Sequence, residues 1–381
     1  MRRRRIMVVT GSRGEYGYLR RILRLIESRS DLEHDLVVTN MHLLPEFGAS
    51  VNLFAEDDVR IGHELYMALD GSTTTSMSKS LGVFLLSMTD AIHNGRPDMI
   101  LLAGDRGEQL MAAIAGAHMN VPVAHIQAGE RSGNIDGMTR HAIARFAHMH
   151  FAANQDAMER LIRSGEQEFR IHVVGAPQLD EFLTGEFAPA DDVVARFRLD
   201  ARRPTILLLQ HSVTEQAETA AEQMAVSLRA LAGLRLQTVL IYPNNDAGSA
   251  LVRSAVDAFR GPWLRIERNV ARALYGGLMR LASVIVGNSS SGLLEAPSFE
   301  LPAVNVGRRQ DGRIRGRNVI DVPHDEQRIA EAVRRALEPA FRTSLRGMVN
   351  PYGDGHASEL IVEILASAKI DETLLFKQLR Y

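Results

Sequence analysis

The chain has 381 residues, 45% of them hydrophobic and 24% charged, with a formal net charge of −2 at pH 7. That length exceeds one ordinary hydrophobic core and predicts two domains, and the composition excludes a disordered chain. The near-neutral charge gives no global pull toward nucleic acid or a membrane, and the lack of cysteine excludes a disulfide framework, a thiolate metal site and a cysteine nucleophile.

No apolar run approaches the roughly 18 residues that span a bilayer. The arginines at positions 2 to 5 read as a solvated end, and Ile6–Thr10 as a first buried strand rather than a signal peptide. The cytoplasm is the expected compartment. Tyr18–Ser28 reads as a helix, His34–Thr39 as a strand and Thr75–Asn94 as a helix. Pro97–Gly104 is a continuous apolar strand, followed by helix Gly107–Met119, strand Val121–Ile126 and helix Met138–His148. His150–Ala153 and Ile171–Val174 are the last strands of this half. Pro177–Asp191 has the composition of a crossing segment. The pattern then restarts, with strands at Thr205–Leu209, Gln237–Tyr242, Leu264–Glu267, Ser283–Val286 and Ala303–Val306. Helices are predicted at Ala217–Leu234, Ala250–Arg260 and Arg328–Glu338, with terminal helices at Asp354–Lys369 and Asp371–Leu379. This alternation predicts an α/β fold: two Rossmann-like, doubly wound domains facing a cleft. Ligands of such sheets bind beyond the carboxyl ends of the strands, so the loops that follow strands are the places to search.

The first such loop is Thr10-Gly-Ser-Arg-Gly-Glu-Tyr-Gly17, where glycines and Arg13 suit a phosphate as well as they suit an ordinary turn. The second is Gly104-Asp-Arg-Gly-Glu108; Asp105 is either a helix cap or a carboxylate at the cleft. The third is the densest. His125, Glu130, Arg131, Asp136, Arg140 and His141 crowd one strand-to-helix connection, more charge than a turn needs, although Asp136 also suits a helix cap and His125 the core. In the second half, His211 follows one strand and Tyr242-Pro-Asn-Asn-Asp-Ala-Gly248 another. Gly287-Asn-Ser-Ser-Ser-Gly292-Leu-Leu-Glu295 opens a strand into a hydroxyl-rich turn and a helix. Amides, hydroxyls and the helix dipole would converge there on a diphosphate, unless Ser291 merely caps the helix. Arg308, Arg309 and Arg313 follow the next strand and suit the same phosphates. No spacing suggests a metal, and none matches a GxSxG nucleophile elbow.

Together these residues resemble the UDP-N-acetylglucosamine 2-epimerase family, its hydrolysing branch in particular, over nearly the whole chain. Gly11–Gly17 is similar to a GTRADFG first loop, and His42 with Phe47 and Gly48 to a second-loop histidine region. Gly104-Asp-Arg106 matches GDR, and His125–Asp136 with Arg140-His141 resembles HIEGGE-x-SGTID with a downstream RH. Asn305–Gln310 resembles NLGxRQ. The resemblance implies a GT-B-like fold. It also implies elimination of a nucleoside diphosphate across C1 and C2 of a sugar, giving a glycal that water then attacks, so that a free manno-configured sugar leaves. By the match, Asp105, Glu130, Asp136, His211 and the Gln127 position carry proton transfer or sugar positioning. Arg13, His42, Arg106, Arg140 and His141 line the sugar and phosphate side. Asn244, Ser289, Ser290, Gly292, Glu295 and Arg309 hold the nucleotide.

Two departures stand out. Gln127 replaces the first glutamate of HIEGGE and cannot carry a proton. Tyr18 stands where a lysine is common, one positive charge fewer. The expected partner is a nucleotide-sugar, either UDP-N-acetylglucosamine or a 4-acetamido-6-deoxy analogue, with no cofactor, metal, nucleic acid or membrane. Residues 1–176 would form the sugar side and 177–365 the nucleotide side, with a helix in 366–381 packing back on the first domain. A homodimer or homotetramer is expected, and helix Ser76–Ala91 is either an interface or a buried core helix. A non-hydrolysing epimerase, a GT-B glycosyltransferase and a non-catalytic nucleotide-sugar-binding protein are the alternatives.

Overall fold

The computed structural model describes residues 2–45, 50–71, 73–185, 187–244 and 246–380. Phe47 and Gly48 of the second-loop expectation lie outside them. The first half runs β1 (Arg4–Thr10), α1 (Arg13–Glu27), β2 (Leu32–Thr39), α2 (Asn52–Glu56), β3 (Ile61–Leu65), α3 (Thr74–Gly95), β4 (Met99–Ala103), α4 (Gly107–His118), β5 (Val123–Ile126), α5 (Ile135–Phe146), β6 (Met149–Ala152), α6 (Gln155–Arg163) and β7 (Ile171–Val173). Two helices, α7 (Gln178–Thr184) and α8 (Ala190–Phe197), carry the crossing. The second half runs β8 (Thr205–Leu209), α9 (Ala220–Leu234), β9 (Gln237–Ile241), α10 (Ser249–Ala258), β10 (Leu264–Glu267), α11 (Arg272–Leu281), β11 (Val284–Gly287), α12 (Ser291–Leu294), β12 (Ala303–Val306), β13 (Val319–Val322), α13 (Glu326–Leu337) and α14 (Pro339–Ser344). Two helices close the chain, α15 (Ala357–Ser367) and α16 (Glu372–Leu375).

The strand orders are β3-β2-β1-β4-β5-β6-β7 and β10-β9-β8-β11-β12-β13. Every pairing is parallel. Parallel strands are covered on both faces, so their central members must be apolar throughout. Met99–Ala103 and Thr205–Leu209 are buried at every position and take the centre of their sheets. Each sheet has a core on either face: Ile6, Val8, Leu101 and Phe151 pack beneath α1, while Met7, Ile100 and Leu102 pack beneath α3 and α4. The edge strands β3 and β13 were not expected from the sequence, because Ile61–Leu65 and Val319–Val322 are partly exposed and carry charges. No helix among the described residues is long and apolar enough to cross a membrane.

The chain returns to the first half earlier than residue 366. Ile361, Val362 and Leu365 of α15 already belong to the core beneath α1. The expected helix Asp371–Leu379 shrinks to α16, capped by the Asp371 side chain, and the segment beyond it is held by ions instead of by helical bonds. Buried Arg170 donates to the carbonyls of Thr373 and Leu374 at 2.7 Å each. The Lys377 ammonium donates to the carbonyls of Ala147 (2.7 Å) and Arg145 (3.2 Å) at the end of α5. Its counter-ion is Glu166, at 2.7 Å, whose side chain is wholly buried and also meets His150 and Arg145. A cation at the carboxyl end of α5 satisfies carbonyls that no backbone N–H can reach. Lys377→Met is expected to lower the unfolding free energy by about 1–3 kcal/mol, read by urea denaturation; an unchanged midpoint would show that water replaces the ammonium.

Candidate active site between the two sheets

A cavity of about 1060 Å3 lies between the carboxyl ends of the two sheets. Among the expected site residues, Arg13, Asp105, Arg106, Asp136, His211, Asn244, Ser289, Ser290, Glu295 and Arg309 line it. The halves are brought together by backbone as well as charge. Gly133 N–H donates to the Arg309 carbonyl at 2.9 Å, and a side chain at Gly133 would run into the Arg308 carbonyl. Arg313 crosses the cleft to donate to the Arg131 carbonyl at 2.8 Å.

Asp105 follows β4 and stays ionised. Burial pushes its pKa up, but Arg140 and Arg313, helped by Arg309 and Arg106, outweigh burial and hold it below the usual carboxylate range. Arg140 of α5 pairs with it directly, and Arg313 approaches to 3.6 Å. Asp136, in the first turn of α5, behaves in the opposite way. Burial and the neighbouring charges of Asp105 and Asp246 raise its pKa to about 7. Asn134 donates to it at 2.7 Å and Arg309 reaches it at 3.5 Å. Two carboxyl groups in one cavity are thus driven to different charge states at neutral pH.

His211 closes the other side. Its Nδ1 accepts from the Asn244 N–H at 3.1 Å, which places the ring proton on Nε2. Burial, with Arg309 nearby, lowers its pKa to about 3, so the ring is a neutral donor. Arg106 donates to Glu108 (3.1 Å) and, across the cleft, to Asp246 (3.0 Å). Burial lowers the Arg13 pKa to about 10, which leaves its guanidinium charged at pH 7.

Six expected site residues do not line the cavity. His42 is a satisfied core histidine: Nε2 meets Thr10 Oγ1 at 3.0 Å, Nδ1 meets Ser50 Oγ at 2.8 Å, and the ring packs edge-on to Phe54. His141, one position on from Arg140 in α5, does not reach the cavity, and burial with Arg140 and other arginines nearby lowers its pKa. Arg140 stands behind Asp105 and is spent on it. Glu130 is buried against Asn154 at 3.0 Å. Gln127, at φ 60°, faces Gln178 at 3.4 Å. Gly292 packs on Ala303. The serine turn also differs from expectation. Helix α12 is a single turn with little dipole, Ser290 rather than Ser291 precedes it, and the Ser289 N–H is taken by the Leu209 carbonyl. The cavity also holds Tyr18, noted in the sequence only as a departure from a common lysine, and Glu15, which was not singled out and whose pKa burial and Glu108 raise. The signal for Glu15 was slight, a glutamate at a helix start. Among the described residues no cluster of three acidic or histidine groups is arranged for a metal.

The fold and cleft define a GT-B-like α/β protein with two Rossmann-like domains and an acid- and arginine-lined cavity between them. Residues 24–366 match the family described as UDP-N-acetylglucosamine 2-epimerase. The chain is 37% identical over 98% of both chains to the hydrolysing UDP-N,N'-diacetylbacillosamine 2-epimerase of Legionella pneumophila. It is 30% identical over 87% of both chains to a UDP-N-acetylglucosamine 2-epimerase of Neisseria meningitidis. A crystal structure of a Neisseria meningitidis UDP-GlcNAc 2-epimerase bound to UDP-GlcNAc superposes with a TM-score of 0.81, covering 96% of this chain and 100% of that one at 18% identity. The chain belongs to the UDP-N-acetylglucosamine 2-epimerase family and is an enzyme of that family.

The Asp136 shift has a stability consequence. A carboxyl group whose pKa rises from about 3.8 unfolded to about 7 folded favours the folded state less as pH climbs between those values. Asp136→Asn is therefore expected to raise the melting temperature relative to wild type more at pH 8 than at pH 5. Equal shifts at both pH values would show that Asp136 titrates as an ordinary carboxylate.

Proposed function

We propose that the protein is a hydrolysing nucleotide-sugar 2-epimerase acting on a UDP-linked 2-acetamido sugar, with the 2,4-diacetamido-6-deoxy sugar favoured over UDP-N-acetylglucosamine. The observation that carries the chemistry is the split pair, ionised Asp105 and near-neutral-titrating Asp136, in one cavity. The preference for the diacetamido sugar rests on the 37% identical Legionella enzyme, whose name gives that substrate and a hydrolysing reaction.

In this reading the C2–H bond breaks and its proton passes to Asp136, whose pKa near operating pH suits a base. The C1–O bond breaks with its electron pair going to the diphosphate, and a C1–C2 double bond remains. Ionised Asp105 stabilises positive charge that develops at C1. Arg309, Arg13 and the His211 Nε2–H take the charge arriving on the diphosphate. Glu295 accepts ribose hydroxyls, and Asn244, Ser289 and Ser290 lie along the nucleotide. Water then adds across the double bond, hydroxyl to C1 and hydrogen to the opposite face of C2, releasing the manno-configured sugar. The glutamine at position 127 is compatible with turnover in this scheme, because that side chain lies outside the cavity and moves no proton. The first domain supplies the sugar side and the second the nucleotide side.

Incubation with each UDP-sugar, followed by NMR, should show free UDP and a free sugar inverted at C2. An epimerised sugar still joined to UDP would instead identify a non-hydrolysing enzyme, and binding without turnover a non-catalytic one. Because the deprotonated base is required, kcat/KM should rise with pH through about 7. Asp136→Asn should remove that limb and lower kcat about 100-fold or more; a variant with the wild-type rate would sink the assignment.

A further inference from the structure

Among the described residues, five tyrosines are at least partly buried, and four of them spend their hydroxyls within the protein. Tyr16 donates to Asp57 at 2.6 Å and Tyr352 to the Ile314 carbonyl at 2.9 Å, while Tyr242 meets Asp257 and Tyr275 meets Ser291. Tyr18 is the exception, with a hydroxyl that bonds to no described residue. A phenol packed among protein groups ordinarily finds a partner there. This one lines the cavity instead.

Its position is fixed from below. The side chain leaves α1 toward the end of β4, and the ring edge lies 3.4 Å from where a side chain on Gly104 would begin. Gly104 has φ 85° and no side chain, so the ring can lie against the backbone immediately before Asp105. The charged groups facing the phenol come from both halves: Asp105 and Arg140 from the first, Glu295 and Arg313 from the second. The hydroxyl therefore stands where a ligand passes from one sheet to the other.

The charges around it select the ligand group. Both arginines are engaged with Asp105, one by direct contact and one at 3.6 Å. With Asp105 and the two arginines engaged with one another, the charged group that remains near the phenol is Glu295, an acid and a poor setting for a phosphate. A neutral group that both donates and accepts, set against the backbone just before Asp105, suits a sugar hydroxyl or an acetamido group. We propose that Tyr18 is a substrate-contacting, specificity-determining residue whose hydroxyl hydrogen-bonds the sugar unit, not the nucleoside diphosphate. This rests on the reading of the cavity as a nucleotide-sugar site.

Tyr18→Phe keeps the ring against Gly104 and removes only the hydroxyl. Titration calorimetry with UDP alone and steady-state kinetics with the UDP-sugars separate the two ends of the ligand. The expected result is a UDP Kd within about twofold of wild type and a kcat/KM lower by about 3- to 10-fold, the worth of one neutral hydrogen bond. Equal weakening toward UDP would place the hydroxyl on the phosphates and overturn the proposal. So would unchanged behaviour toward every ligand. If the wild-type protein itself neither binds UDP nor consumes a UDP-sugar, the nucleotide-sugar reading fails first, and that result is distinct from either outcome for the variant.

Discussion

The cleft depends on how one buried carboxylate is neutralised. Asp105 ends the central strand of the first sheet, Arg140 reaches it from α5, and Arg313 reaches it from the second half. A carboxylate so placed is tolerated only with cations beside it, and removing one partner of such a pair ordinarily costs about 3–5 kcal/mol. The same ions therefore fix three things together: the end of β4, the start of α5 and the approach of the second half. Gly133 completes the constraint, since only a residue without a side chain lets the Arg308 carbonyl come so near. The shape of the cavity follows from this junction more than from either sheet.

The junction also sets the chemistry available. Because Asp105 keeps its charge, it repels charge on Asp136, and Asp246 adds to the repulsion. The arginines are divided unevenly: Arg140 is spent on Asp105, while Arg309 is only 3.5 Å from Asp136 and 3.9 Å from Asp246. One carboxyl group stays ionised and the other titrates near neutrality. No additional ionisable group is required to produce that difference. It follows from the burial of Asp136, from the acids beside it and from the arginines gathered on Asp105.

The architecture was legible in the sequence where a physical rule leaves little choice. A short apolar run such as Met99–Ala103, set between Pro97 and Gly104, suits an inner parallel strand, and the charge crowded between His125 and His141 exceeds what a turn needs. Of the four edge strands, β7 and β10 were legible and β3 and β13 were not; Ile61–Leu65 and Val319–Val322 have no fully buried position to mark a core-facing side. Within the site, residue type was legible and direction was not. Arg140 and His141 are adjacent in sequence, yet Arg140 pairs with Asp105 and His141 makes no part of the cavity wall. His42 was expected at the site through its resemblance to a second-loop histidine region, but Thr10 and Ser50 already occupy both ring nitrogens. Ser289, Ser290 and Glu295 do line the cavity, but the helix dipole expected behind them is slight, because the helix is one turn long and a second short turn, Ala296–Phe299, follows at once.

The end of the chain bears on the site through α5. That helix carries Asp136 in its first turn and Arg140 one turn further on. Its carboxyl end would leave carbonyls without partners, and Lys377 supplies them from 230 residues away. Glu166 balances the ammonium from within the core, and Arg170 holds the backbone that delivers it. The helix is thus restrained at both ends by ions from other parts of the chain, Asp105 and Arg309 at the cleft and Lys377 at the base. A strut fixed at one end alone could rotate, and a rotation of one residue, about 100°, would exchange Arg140 for His141 beside Asp105. Anchoring both ends is what keeps Arg140 on Asp105, and with it the charge that sets the protonation of Asp136.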